Sequence, residues 1–247
     1  MKELLADLHI HTCLSPCAER EMSPPAVVRE ARKRGLHVIA VCDHNSAENV
    51  EAASRAAEEA GLAVIGGMEI STREEVHVLG LFKDDHGLGS AQEVVYKNLS
   101  GENDPDTFGE QLVMNERGEV VRHNRRLLIG ATDLSLEEVV RTIHRLGGIA
   151  IAAHVDRPSF SVISQLGFIP LGLQLDGVEV CSDTPPGLPE DLAIVRSSDA
   201  HRPEEIGCRY TRFLLEGPTA SEIEMALRRI DGRRILGGRG RGRDIPS

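Results

Sequence analysis

Two short stretches near opposite ends of the chain carry residue types from which a metal centre is built. Asp7-Leu8-His9-Ile10-His11 ends one apolar run, and Ser198-Asp199-Ala200-His201 ends another. In each, two strong ligands stand two residues apart. On a β-strand, side chains at i and i+2 leave the same face, with Cα atoms roughly 6.5–7 Å apart. Such a pair can converge on one ion or hold two neighbouring ions. Unpaired polar groups closing an apolar run are costly to bury, so chance explains neither pair well. Between them lie Glu19, Asp43, His44, Glu69, His77 and His154. Imidazole and carboxylate donors suit Zn²⁺, Mn²⁺ or Fe²⁺. The chemistry open to such a set is hydrolysis, because a bound divalent ion lowers the pKa of water toward about 7 and neutralises developing charge.

Other polar residues have plainer readings beside their chemical ones. Asp7 and Asp43 are either ligands or groups that orient neighbouring imidazoles. His37, His86, His123 and His144 are ordinary surface or satisfied core histidines. Arg20, Arg157 and Arg202 are solvated charges by default, but Arg157, three residues past His154, is placed to clamp a phosphate with its planar fork of donors. The five cysteines (13, 17, 42, 181 and 208) are odd in number and lack paired C-x-x-C spacing. They argue against a disulfide framework or a zinc finger, and Cys13 and Cys17 read as small buried residues.

These groups need a scaffold. Aliphatic runs alternate with helical segments: Leu4–His11, His37–His44, Leu62–Ile70, Val76–Phe82, Gly148–His154, Gly177–Cys181 and Ala193–His201, with an eighth short run at Thr211–Leu215. Ser23-Pro24 and the capping box Ser135-x-x-Glu138 start helices, Asn45 or Ser46 is expected to cap the Ala/Glu-rich segment after the second run, and Thr219 to cap a last helix through Ile230. Aromatic residues are scarce, with two Tyr, five Phe and no Trp, so the core must be aliphatic, as in parallel strands covered by helices. Seven or eight such units predict a βα barrel, with an open doubly wound sheet as the alternative. Donors near the carboxyl ends of at least five runs favour the barrel, where such enzymes build their sites. Residues 84–132 break the rhythm and read as an insertion carrying a hairpin at Asn115–Gly118, within a single domain over 1–247. The Gly/Arg-rich tail, 237–247, is expected to be mobile.

The formal charge is −11, from 39 acidic and 28 basic residues. That disfavours a nucleic-acid scaffold held by overall charge but not a phosphorylated substrate met by bound cations. No apolar run is long enough for a signal peptide or a membrane span, so a cytoplasmic location is expected.

Asp7-Leu-His-Ile-His11, Asp43-His44, Glu69, His77, His154 and Ser198-Asp-Ala-His201, in this order, resemble the PHP (polymerase and histidinol phosphatase) superfamily of metal-dependent phosphoesterases. The likeness spans roughly residues 4–206 and rests on five separated motifs. Amidohydrolases share His-x-His, but the terminal Asp-x-His and the lack of a lysine placed for carbamylation count against them. The resemblance implies a distorted seven-stranded TIM-like barrel with two or three divalent ions. His9, His11, Glu69 and Asp199 would hold the first ion. Glu69, His77 and His154 would hold the second, and His44 and His201 the third. Relatives add a ligand to the third site from the loop after His-x-His; Glu19 is expected to fill that role here, with Cys17 in reserve. The reaction implied is hydrolysis of a small phosphomonoester or nucleotide by a metal-bridging hydroxide, with Asp199, His201 and Arg157 in the catalytic machinery. A short-oligonucleotide exonuclease of the same superfamily, amidohydrolase-type chemistry, or a non-catalytic module stabilised by metal are the alternatives.

Overall fold

The computed structural model of the protein describes residues 1–182, 184–185, 187–189 and 192–239. The first half of the chain places β1 (Lys2–Ile10), α1 (Pro24–Lys33), β2 (Val38–Val41), α2 (Val50–Ala57), β3 (Ala63–Ser71), β4 (His77–Leu81), α3 (Asp85–Lys97), the short α4 (Pro105–Phe108), β5 (Leu112–Met114) and β6 (Val120–His123). Then come α5 (Leu136–Arg145), β7 (Ile149–Ala152), α6 (Val162–Leu166), β8 (Gly177–Glu179), β9 (Ala193–Val195), β10 (Tyr210–Leu215), α7 (Ala220–Leu227) and β11 (Arg234–Arg239). The strands Val-Ile-Ala-Val and Ile-Ala-Ile-Ala are buried at every position, as strands covered on both faces must be.

Among the described residues, nine strands form one sheet in the order β11-β10-β1-β2-β3-β4-β7-β8-β9. It is a mixed α/β barrel, nearly closed: beyond β9 the chain returns to β1 through a parallel bridge between Ile10 and Ala200, where His11 N–H donates to the Ala200 carbonyl at 3.0 Å. Seven or eight strands are expected from the sequence. The ninth, β11, comes from the Gly/Arg-rich stretch, whose composition disfavours a strand. Gly237 and Gly238 pair there with Arg212 and Thr211 of β10. A Cβ on Gly238 would lie 2.7 Å from the Tyr210 carbonyl oxygen, so the close approach of the two backbones selects glycine. Residues 240–247 of the tail lie outside the described residues.

Two strands run against the others, β10 between β1 and β11 and, within the barrel, β4. β4 pairs antiparallel with both β3 and β7, so its amino end lies at the end of the barrel where its neighbours finish.

The capping box at Ser135 forms as its spacing predicts, with Glu138 N–H donating to the Ser135 hydroxyl and the Glu138 carboxylate accepting from Ser135 N–H. Thr219 caps α7 through Glu222 N–H, and the helix ends at Leu227. Asn49, not Asn45 or Ser46, occupies the cap position of α2. Asn45 is instead a strut: its side chain accepts from Ser71 N–H at 3.0 Å and donates to the Leu128 and Gly130 carbonyls at 2.8 Å.

Those last two bonds anchor the segment over 84–132. Its first part is α3, whose Leu88, Ala91 and Val95 enter the core. The remainder packs on the loops that follow β1 and β2: Leu112 N–H donates to the Cys13 carbonyl at 3.0 Å, and Asn49 joins Leu112 and Met114 by two further hydrogen bonds. The β5–β6 hairpin turns at Asn115–Gly118, as the sequence predicts.

Candidate metal centre

The strands deliver the donors to one mouth of the barrel. His9 lies near the end of β1 and His11 just beyond it; Glu69 lies near the end of β3; His44, His154, Asp199 and His201 follow β2, β7 and β9. His77 arrives by another route, as the first residue of the reversed strand β4. Two of these residues sit at positive φ, His154 at 31° and Asp199 at 51°. Backbone strain of this kind costs of order 1–3 kcal/mol per residue and persists where the surroundings over-determine it.

Glu69 is the hub. Its Oε1 lies 2.8 Å from His77 Nδ1, 3.1 Å from His154 Nε2 and 3.5 Å from His9 Nε2. Its Oε2 lies 2.9 Å from His44 Nδ1 and 3.4 Å from His11 Nε2. Asp199 Oδ1 is 3.0 Å from His11 Nε2 and 3.3 Å from His9 Nε2. All these groups are buried. Burial alone would raise the Glu69 carboxyl, but His77, His9 and His44 outweigh it and hold the group well below the usual range. His9 shows the converse: burial opposes its charge, and Asp199, Glu179 and Glu69 overcome that opposition to raise it well above the ordinary imidazole value.

Whether these residues fit metal ions can be judged from how they face one another. His44 Nδ1 and Glu69 Oε2 are 2.9 Å apart, yet each is a buried atom with no hydrogen-bond partner. They are close without being aligned, as two donors turned toward a shared cation would be. The Nε2 atoms of His9 and His11 stand 3.1 Å apart. Nitrogen and oxygen donors about 2.0–2.2 Å from one zinc-like ion are separated by roughly 3–3.5 Å. Three groups, His9/His11/Asp199, His44/Glu69/His77 and His11/His44/His201, have donor atoms all within 4.8 Å of one another. The donor sets fit.

A second layer fixes the imidazoles. His9 Nδ1–H donates to the Glu179 carboxylate, at 3.1 and 3.2 Å, leaving Nε2 directed at Asp199 and Glu69. His11 Nδ1–H donates to the Ser15 hydroxyl at 2.9 Å, which donates to Asp43 at 2.7 Å. Asp43 also accepts from the Thr12 amide and hydroxyl, and Asp7 accepts from the Ser198 and Gly207 amides. Both aspartates therefore orient loops and rings and lie outside the three groups; burial pushes the Asp7 carboxyl up to about 6. His201 Nδ1–H donates to the Asp199 carbonyl at 2.9 Å.

Glu179 is absent from the sequence-derived set, although a signal was there. It is a charged residue between two valines in an aliphatic run, the same pattern that singled out His9 and His11, and it is fully buried. Glu179→Gln is expected to weaken metal binding by roughly 10–100-fold, the usual effect of losing a carboxylate behind a ligating histidine. Titration with a competing chelator measures this. Unchanged affinity would reduce Glu179 to a packing role.

Glu19 stands apart from the centre. Its carboxylate is exposed and paired with Arg202 Nε at 3.2 Å. Cys17, on the same loop, is exposed where the sequence predicts a small buried residue, and lines the same cavity as His201. Partial desolvation would raise its thiol, but the imidazoles of His44 and His201 outweigh that and bring it to about 6. Arg157 Nη2 lies 2.6 Å from Asp199 Oδ2, the oxygen turned away from His9 and His11. Arg157, Cys17, Asp199, His201, Arg202 and Arg209 help line a cavity of about 610 Å³ beside the centre. Arg20 is remote, paired with Glu110 at the surface. Of the histidines set aside, His37 accepts from Leu5 N–H, His144 bonds Asp176, and His86 and His123 are exposed.

A nearly closed α/β barrel thus gathers imidazoles and carboxylates at its mouth, in sets that could hold metal ions. The chain belongs to the PHP domain family, whose model matches residues 7–163, and a PHP-associated model matches residues 190–230. It is 29% identical over 189 residues to a 5'-3' exoribonuclease of Haemophilus influenzae, covering 60% of this chain and 68% of that protein. It is 30% identical over 83 residues to a phosphoribosyl 1,2-cyclic phosphate 1,2-diphosphodiesterase of Eggerthella lenta, covering 32% of this chain and 30% of that one. Among solved structures, the lesion-specific endonuclease EndoQ of Pyrococcus furiosus superposes with a TM-score of 0.76 at 19% identity, over 97% of this chain and 59% of that chain. The chain thus spans about three fifths of that enzyme's length. No helix among the described residues is long and apolar enough to cross a membrane.

Proposed function

We propose that the protein is a metal-dependent phosphoesterase acting on a small phosphomonoester or nucleotide, with two or three zinc, manganese or iron ions at the barrel mouth. One observation carries the reading: five imidazoles, from His9, His11, His44, His77 and His154, converge within 3.5 Å on the single buried carboxylate of Glu69. A structural zinc needs about four ligands, so a centre this rich points to chemistry. His9, His11, Glu69 and Asp199 are assigned to one ion, and Glu69, His77 and His154 to a second. His44 and His201 belong to a third. Divalent ions held there supply a nucleophile at neutral pH and offset the charge that develops on phosphoryl oxygens.

The chain's own residues do the rest. Glu179 and Ser15–Asp43 hold His9 and His11 with Nε2 facing inward. Arg157 holds the outer oxygen of Asp199 while its half-exposed guanidinium opens on the cavity, where it meets non-bridging phosphate oxygens. His201, tied through Nδ1–H to the Asp199 carbonyl, keeps the Nε2 lone pair free to hold an ion at the third position, beside the leaving oxygen. Water is excluded from one side of the mouth by the segment over 99–132, packed on the loops after β1 and β2. That segment shapes leaving-group choice.

Arg157→Ala is expected to lower kcat/KM by about 10²-fold, within the range for losing one preorganised donor to a developing oxyanion. Arg157→Lys should restore part of it, because lysine keeps the charge without the fork. Equal kcat/KM in all three proteins would remove Arg157 from the site.

The decisive assay measures bound metals, then phosphate release from p-nitrophenyl phosphate, nucleotides, a bisphosphorylated nucleotide and histidinol phosphate, and nucleotide release from a short RNA, with wild type and His9→Ala. Metal-loaded wild type that releases no phosphate from any of them sinks the proposal. The short RNA is included because the Haemophilus relative is named an exoribonuclease. Cleavage of RNA in preference to the small esters would move the reading to that alternative.

A further inference from the structure

The loop between His154 and α6 places one aromatic ring at the mouth of the barrel. We infer that Phe160 is a stacking platform for a planar ring in the substrate's leaving group, the base of a mononucleotide, and so determines which phosphoesters the centre accepts. The inference rests on the phosphoesterase reading above and narrows its substrate class.

Three observations converge on it. First, the ring lies against the centre. Phe160 and His77 stack with their rings 15° from parallel and 4.9 Å between centroids, and His77 Nδ1 is 2.8 Å from the Glu69 carboxylate. His77 N–H also donates to the Phe160 carbonyl at 2.9 Å, so backbone and ring hold the same place. Second, the position is kept at a cost. Phe160 takes a φ of 56°, in the left-handed region that a bulky residue rarely enters, and it stays 44% exposed. Glycine would relieve the strain, and a ring turned inward would remove the exposure; the loop does neither. Strain of this kind gathers at ligand clamps. Third, the same loop carries other parts of the site. Arg157 N–H donates to the His154 carbonyl at 2.9 Å, and the Ser161 hydroxyl donates to the Arg157 carbonyl at 2.9 Å. A histidine of the metal centre, the arginine that meets phosphate and an exposed ring therefore stand on one braced segment.

A parallel stack covers one face of a ring and leaves the other. His77 covers one face of Phe160, and the exposed remainder offers a π surface beside the cluster. Bases stack on such a surface whatever their hydrogen-bonding pattern, so the platform selects for a base without choosing among them. A phosphate met by Arg157 and a base lying on Phe160 are joined through one sugar. Esters with aliphatic leaving groups gain nothing from the ring. The contact lies away from the reacting phosphorus and is made equally in the ground and transition states, so it is expressed in KM and not in kcat. A phenylalanine that merely sealed His77 from water would treat every ester alike.

Adenosine monophosphate and ribose 5-phosphate, which share phosphate and sugar and differ by the base, test this. Metal-loaded wild type is expected to prefer the nucleotide by about 10-fold in kcat/KM, within the range for one stacked base. Phe160→Leu should lose most of that preference through a higher KM for the nucleotide, and Phe160→Trp should keep it. The chain has no tryptophan, so Phe160→Trp also supplies an indole fluorescence signal of its own. Adenosine monophosphate should quench that signal, and ribose 5-phosphate should not. Wild type that hydrolyses both esters without preference overturns the inference. So does Phe160→Leu whose rates fall alike on both, which marks a packing role only. The wild-type preference decides even where a variant folds poorly. Quenching by the nucleotide in protein that releases no phosphate overturns the phosphoesterase reading and leaves the platform standing. Phosphate release without quenching overturns the platform and leaves that reading intact, and the absence of both overturns both.

Discussion

Glu69→Gln is expected to yield a folded protein that no longer assembles its metal centre. The amide matches the carboxylate in shape but carries no charge, and it places an NH₂ group among imidazole nitrogens that need an acceptor or a cation. Both Glu69 oxygens are engaged, Oε1 with His77, His154 and His9, and Oε2 with His44 and His11. No single histidine has that reach. Losing the hub should reduce bound metal to half or less and lower kcat by roughly 10³-fold or more, since Lewis-acid stabilisation worth several kcal/mol is removed. Metal analysis, circular dichroism and turnover on the best substrate check the three parts separately. Glu110→Gln, at an exposed carboxylate paired with surface Arg20, serves as the control, with stability changed by no more than about 0.5 kcal/mol. A Glu69→Gln protein with full metal content and near-normal turnover would show that the cluster is organised around some other group.

Removing the metal is the second large effect. A ligand that binds only the native state stabilises it by about 4 kcal/mol when present at about 1,000 times its dissociation constant. For a chain of this size each kcal/mol moves Tm by about 2–4 °C. Chelation should therefore lower Tm by about 10 °C in calorimetry, and zinc or manganese should restore it. The reason lies in the centre itself: Glu69, Asp199 and Glu179 are buried among histidines, and without cations their charge is met by Arg157 at Asp199 and otherwise by imidazoles that burial resists protonating. His9→Ala should show a smaller chelator effect than wild type, because one ligand of the centre is already gone. Identical Tm values with and without chelator would mean that the cluster holds no ion of consequence to the fold.

The donors were legible in the sequence because ligand chemistry resides in residue type, and short spacing survives in the linear chain. His9 and His11 on one strand end, and Asp199 and His201 on another, announce themselves where polar groups close apolar runs. The alternation of aliphatic runs with capped helices made the barrel class legible for the same reason, since each element is specified by its neighbours in sequence. The capping box at Ser135 is the clearest case: both partners lie within one helical turn. β11 was hidden because its glycines are chosen by a close approach to β10, a contact absent from any local pattern.

What the sequence by itself determined is the inventory: which donors exist, that imidazole and carboxylate dominate, and that the strands end in them. The tertiary structure decided which atoms meet. His77 reaches the mouth only because β4 runs against its neighbours, and strand direction is a property of sheet pairing, not of residues 77–81 alone. Glu179 stands behind His9, 170 residues away in sequence, because the Ile10–Ala200 bridge brings the end of β9, with β8 beside it, back to β1. Glu19 stands away from the centre because its N–H is tied to the His201 carbonyl while its carboxylate turns outward to Arg202. Spacing along a chain is local, whereas convergence on a cation depends on how the distant ends of the barrel close.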